Sequence, residues 1–183
     1  MTTIAARSKT YDMVYIAVFV VLMAICSWIS IPAGVPFTLQ TFAVFLAVGV
    51  LGGKRGSLAV VVYILLGIAG IPVFAGFTGG IGILIGSTGG YIIGFIFTAL
   101  VMWAMETLLG KKTWVLAASM VIGLAACYIF GTLWFMAVYI RDAGPIGIGA
   151  VLGWCVIPFI IPDLVKIALA LGLSRRLAGI IRM

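Results

Sequence analysis

The chain has 183 residues, of which 65% are hydrophobic and 8% charged, and its mean hydropathy is +1.38. Charged residues make up about a quarter of an ordinary soluble domain, so a water-soluble fold is excluded. The net charge of +7, from 11 Lys and Arg against 4 Asp and Glu, falls as pairs between apolar runs rather than as a patch. This excludes a nucleic-acid interface and fits membrane topology.

A helix needs about 20 apolar residues to cross a bilayer. Runs broken by charge, Gly or Pro give six spans, near 13–31, 38–53, 57–73, 88–109, 114–139 and 147–173. They fill the chain, so residues 1–183 are expected to form one membrane domain. The first run follows a polar segment with Arg7 and Lys9 and is too long for the apolar core of a signal peptide, so it reads as an uncleaved first helix.

Ile31-Pro32-Ala33-Gly34-Val35-Pro36 separates the first two spans and Lys54-Arg55 the next pair. Six spans put both termini on one side. That side receives Arg7, Lys9, Lys54, Arg55, Lys111, Lys112, Arg175, Arg176 and Arg182, whereas the other receives only Arg141. Positive charge is retained in the cytoplasm, which makes both termini cytoplasmic. The expected fold is therefore an all-α integral membrane bundle of six transmembrane helices.

Thr38, Gln40 and Thr41 open the second span after Pro36, where Thr38 serves either as an N-cap or as part of an anion- or carbonyl-binding helix start. The segment from Phe74 to Gly90 has seven glycines interleaved with Phe74, Phe77 and isoleucines. Such a segment is either a flexible connector or a cover that presents bare backbone to a ligand; its apolar content favours the cover. Ser87 or Thr88 caps the fourth span, and Tyr91 reads either as a site residue or as an interfacial aromatic. Glu106 lies beside Lys111 and Lys112 as a solvated pair, and Arg141-Asp142 as a loop pair. Cys26, Cys127 and Cys155 stand singly in apolar runs as small core residues, and no metal set accompanies them.

The sixth span holds the most costly feature, Asp163 and Lys166, three residues apart on one helix face. Each costs about 2.5–3.5 kcal/mol at mid-span, and Lys166 lies roughly 13 Å inside Arg175 at 1.5 Å per residue. Pro158 and Pro162 remove helical hydrogen bonds just before them. The pair reads as a polar ligand site or as an internal salt bridge, and function is the default for intramembrane ionisable groups. With no histidine, four acidic residues and no phosphate-binding lysine loop, catalysis and ATP hydrolysis are not expected.

Val35-Pro36-Phe37-Thr38-Leu39-Gln40-Thr41, Gly52-Gly53-Lys54-Arg55-Gly56, Gly70-Ile71-Pro72-Val73-Phe74, Gly86-Ser87-Thr88-Gly89-Gly90-Tyr91 and Pro162-Asp163-Leu164-Val165-Lys166 occur in order along nearly the whole chain. In this combination the sequence resembles the BioY family, the biotin-binding S components of energy-coupling factor (ECF) transporters. The resemblance implies a bundle of the ECF S-component type in a prokaryotic cytoplasmic membrane. It also implies biotin as transported ligand with no cofactor, and as partners a transmembrane T component and two cytoplasmic ATPases.

On this resemblance the binding residues are Asp163, Lys166, Pro36, Phe37, Thr38, Gln40, Phe74, Phe77, Thr78, Gly79, Gly80, Gly89, Gly90 and Tyr91. Some relatives carry an Asn in the third loop where this chain reads Gly76-Phe77-Thr78-Gly79-Gly80, and an Arg where it has Ile92-Ile93. Thr78 or backbone groups stand in for them. Ala17, Val21 and Ala24 on the first helix are the expected partner-facing residues. An S component for another vitamin, or a small intramembrane enzyme using Asp163 and Lys166, are the alternatives.

Overall fold

The computed structural model describes residues 2–32 and 35–178, with side chains from 9 to 177. Arg182 and the Ala33-Gly34 step of the first loop lie outside the described residues, as does the Arg7 side chain. The described chain is helical apart from short loops and one small hairpin: α1 (Thr2–Trp28), β1 (Ser30–Ile31), β2 (Phe37–Thr38), α2 (Gln40–Leu51), α3 (Gly53–Ile68), a 3-10 turn (Ala75–Phe77), α4 (Ile81–Ile85), α5 (Gly89–Leu109), α6 (Thr113–Ala143), α7 (Ile148–Cys155) and α8 (Ile157–Ala178).

Four stretches, Lys9–Trp28, Gly89–Leu109, Thr113–Ala143 and Ile148–Leu177, are long and apolar enough to cross a membrane. The second span of the sequence reading is shorter than drawn. Thr38 belongs to β2, paired with Ser30, and the helix begins only at Gln40. At 12 residues α2 is roughly 18 Å long, well under the 30 Å of a bilayer core. It lies at the centre of the bundle against α1, α3, α5 and α8, with nine of its residues buried. Its sequence, QTFAVFLAVGVL, is apolar on every face, as a helix enclosed by others should be.

Gly52 alone separates α2 from α3, and its φ of +78° makes the reversal possible without a Cβ penalty. The Gly53 N–H at the start of α3 donates to the Glu106 carboxylate, which also pairs with Lys111 at 3.2 Å. Glu106 therefore serves the α3 N-terminus as well as the lysine. Arg55 binds Asp12 at 2.9 Å and ties α3 to α1.

α5 and α6 form the most extensive helix pair. Their axes approach because small residues meet: Gly94 faces Cys127, Gly123 faces Thr98, and Gly131 lies under the Tyr91 ring. The Thr98 hydroxyl donates to the Gly123 carbonyl at 2.9 Å across this seam. The sixth expected span is two helices, broken at Val156, with Pro158 in the first turn of α8 where its missing N–H costs no helical bond. Pro162 does lie inside α8, one residue before Asp163.

The glycine-rich segment is folded rather than open. Phe74 and Thr78 form an isolated bridge, the Gly80 N–H donates to the Gly67 carbonyl at 2.7 Å, and Ile81–Ile85 is a short helix. Trp28 clamps it from α1: its Nε1 donates to the Pro72 carbonyl at 2.8 Å and its ring stacks on Phe77 at 4.9 Å.

Candidate functional site

Asp163 and Lys166 of α8 are 2% and 5% exposed, and the i,i+3 spacing brings Lys166 Nζ to 2.7 Å from Asp163 Oδ1. Two other helices complete this polar corner. Thr41 of α2 donates to Asp163 Oδ1 at 3.0 Å and accepts from Lys166 Nζ at 3.1 Å. Tyr128 of α6 donates to Asp163 Oδ2 at 2.5 Å. Lys166 Nζ also stands 4.9 Å from the centroid of the Phe37 ring, which stacks on Phe159. A buried carboxylate is tolerated here because three donors from three helices surround it.

The corner opens on a cavity of about 290 Å³, close to the lower end of the 300–1,000 Å³ usual for small-molecule sites. Val35 and Pro36 of the first loop and Phe74, Ala75 and Thr78 of the α3–α4 loop line it on one side. Tyr91, Ile92 and Phe95 of α5, Cys127 of α6, Cys155 of α7 and Phe159 of α8 make its largely apolar wall. Gln40 adds an amide, oriented by a chain in which its Nε2 donates to the Tyr63 hydroxyl at 2.7 Å and Tyr63 donates to the Val73 carbonyl at 2.8 Å. The Ser27 hydroxyl reaches the same carbonyl at 2.6 Å, so the α3–α4 loop is anchored to α1 and α3 beside the cavity.

Of the residues singled out from the sequence, Pro36, Thr38, Gln40, Phe74, Thr78, Tyr91, Asp163 and Lys166 line this cavity together. Thr38 also accepts from the Gln40 N–H at 3.2 Å, so it helps start α2 while lining the cavity. Phe37 stands one layer behind, against Lys166 and Phe159. The others lie elsewhere. Phe77 is 64% exposed and stacked on Trp28, with a φ of +57°. Gly79 packs on the Ile71 carbonyl, Gly89 on the Leu84 backbone and Gly90 on Trp134, where any Cβ would collide. Gly80 holds a φ of +96°. These glycines shape the loop and the α5–α6 seam without lining the cavity.

Thr41 and Tyr128 are the chief polar residues of the corner that the sequence reading did not assign to it. Tyr128 had left a signal: a phenol in the middle of an apolar span must find a partner, and Asp163 is the carboxylate at comparable depth. On α1, Ala17 and Val21 are exposed, but Ala24 is turned into the core, so the three do not share an outer face.

The chain resembles known proteins along nearly its whole length. The BioY family model matches residues 1–182. The chain is 43% identical to the biotin transporter BioY of Thermotoga maritima, covering 87% of this chain and 91% of that protein. It is 40% identical to the probable biotin transporter BioY of Pyrococcus horikoshii, covering 93% and 98%. Its fold matches a crystal structure of the S-component for biotin from an ECF-type ABC transporter with a TM-score of 0.84 and 25% identity, over 94% of this chain and 93% of that one.

Proposed function

This chain belongs to the BioY family, and from that premise we propose that it is the S component of an ECF transporter and captures biotin in the 290 Å³ cavity. The observation that carries the reading is the corner in which Thr41 and Tyr128 bond the buried pair Asp163 and Lys166, at the wall of a largely apolar chamber. Biotin has the matching polarity. Its ureido ring offers one carbonyl and two N–H groups to the polar corner and Gln40, and its valeryl chain suits Phe74, Ile92, Phe95 and Phe159.

Lys166 commits two of its three donors, to Asp163 and Thr41, and the third suits a ligand oxygen. The first loop and the α3–α4 loop cover the chamber, so biotin enters from their side. The chain is a transport component rather than an enzyme.

Six passes, with the first loop and the short α2 together making the second, α3 the third and α7–α8 the sixth as one broken span, put both termini in the cytoplasm of a prokaryotic cell and make residues 1–183 a single multi-pass membrane domain. A transmembrane T component and two ATPases supply the energy for import. The exposed α1 row that includes Ala17, Val18 and Val21 is the surface offered to the T component.

Calorimetric titration of the purified protein tests the ligand. Biotin is expected to bind at least 100-fold tighter than riboflavin or thiamine, a gap of about 2.7 kcal/mol or more; equal affinities would sink the assignment. Labelling of Lys54→Cys and Lys111→Cys by an impermeant thiol reagent tests the topology. Both are expected to react in inverted vesicles and not in intact cells.

A further inference from the structure

A second cavity, of about 410 Å³, lies away from the biotin chamber at the end of the bundle that carries the Lys and Arg pairs. Arg55, Lys111, Lys112 and Arg175 line it, with Glu106 as the one carboxylate among its lining residues. Glu106 is already engaged by Lys111 and by the Gly53 N–H, and Arg55 by Asp12. Lys112 and Arg175 are exposed and give the cavity an excess of positive charge.

Two independent features at this end suit an acceptor-rich group. Ser174 also lines the cavity; it is 1% exposed, and its hydroxyl finds no hydrogen-bond partner among the described residues. A buried hydroxyl without a partner is unfavourable, and a bound acceptor would relieve it. The 31-residue α6 begins at Thr113 on the cavity wall, and no side chain caps its first-turn N–H groups.

We propose that this cavity binds an anionic phosphate group. Cations on three elements, the α6 N-terminus and the Ser174 hydroxyl together match a group with several acceptor oxygens and a negative charge. Two sources carry that chemistry, the headgroup of an anionic phospholipid and free phosphate. The surroundings favour the lipid. Leu108, Leu109 and Trp114 are exposed on either side of Lys111 and Lys112, an apolar and aromatic rim of the kind found at a membrane interface.

Native mass spectrometry of the full chain in detergent, titrated with phosphatidylglycerol, phosphatidylcholine or inorganic phosphate, tests the site. The wild type is expected to retain one phosphatidylglycerol about tenfold more tightly than phosphatidylcholine. Lys112→Gln with Arg175→Gln should abolish that preference, and Ser174→Ala should weaken retention with all charges intact. Circular dichroism and thermal melting establish that each variant is folded. Retention of phosphatidylglycerol in millimolar phosphate supports the lipid source, and its displacement supports free phosphate. Equal retention of the two lipids by the wild type, or an unchanged preference in the folded double variant, overturns the proposal. So does loss only of co-purification with the T component, which would make the patch a protein contact.

Discussion

The Tyr128 hydroxyl donates to Asp163 Oδ2 at 2.5 Å, so a residue of α6 holds one oxygen of the carboxylate whose other oxygen binds Lys166 and Thr41. Asp163 is the hub of the corner, and Tyr128 is the part of it most easily removed without altering volume. Tyr128→Phe is expected to weaken biotin binding about tenfold, the loss of one hydrogen bond to a charged group at about 1.5 kcal/mol. Isothermal titration reads this directly. An unchanged affinity would mean that Tyr128 does not orient Asp163 for the ligand.

Lys166→Met removes the cation and leaves Asp163 buried at 2% exposure with only hydroxyl donors. Breaking a buried pair from one side costs about 3–5 kcal/mol, whereas removing both charges is nearly neutral. Thermal unfolding in detergent should therefore rank Lys166→Met below the double variant Asp163→Asn/Lys166→Met, with neither binding biotin. If the double variant were the less stable of the two, the pair would contribute net stability.

Trp28 fastens the α3–α4 loop through its bond to the Pro72 carbonyl and its stack on Phe77. The residue lines no part of the chamber, yet the loop it holds supplies Phe74, Ala75 and Thr78. Trp28→Ala is expected to raise the biotin dissociation rate severalfold while leaving the polar corner intact. Stopped-flow exchange of a fluorescent biotin analogue measures it; an unaltered rate would show that the loop is held by its own hydrogen bonds.

At Gly94 a Cβ would stand 2.8 Å from Cys127 Sγ and 3.2 Å from Cys127 Cα. Gly94→Val therefore forces α5 and α6 apart at the wall of the chamber, at a cost of about 1–3 kcal/mol. A lowered melting temperature and weaker biotin binding are expected together, because Tyr91 and Cys127 lie on that seam. A conservative change at exposed Ile129, such as Ile129→Leu, should alter neither.

The charged part of the candidate site was legible because buried ions are costly anywhere in a membrane, so Asp163 and Lys166 stood out, and the structure pairs them. Pro36, Thr38, Gln40, Phe74 and Tyr91 came from ordered motifs and Thr78 from the stretch where the chain departs from its relatives, and all six line the chamber. Thr41 and Tyr128 were harder to assign because their roles depend on which helices adjoin α8, and apolar runs do not encode adjacency. Gly79, Gly89 and Gly90 show the converse limit: glycine beside a site residue reads the same whether its missing Cβ admits a ligand or a neighbouring backbone. The short length of α2 was hidden for a similar reason. Gln40 and Thr38 sit at the boundary of an apolar run, and only the pairing of Thr38 with Ser30 shows that the helix has not yet begun.

The fixed charges of the corner cancel, since Asp163 and Lys166 neutralise each other within 2.7 Å. A net charge at that depth would couple to the membrane voltage by up to about 2.3 kcal/mol per 100 mV. With a dipole in place of a monopole, the corner itself feels the electric field only weakly, whatever its polarity. Affinity in energised and de-energised cells should then differ only through the ligand's own carboxylate, and the neutral methyl ester of biotin should be indifferent to voltage.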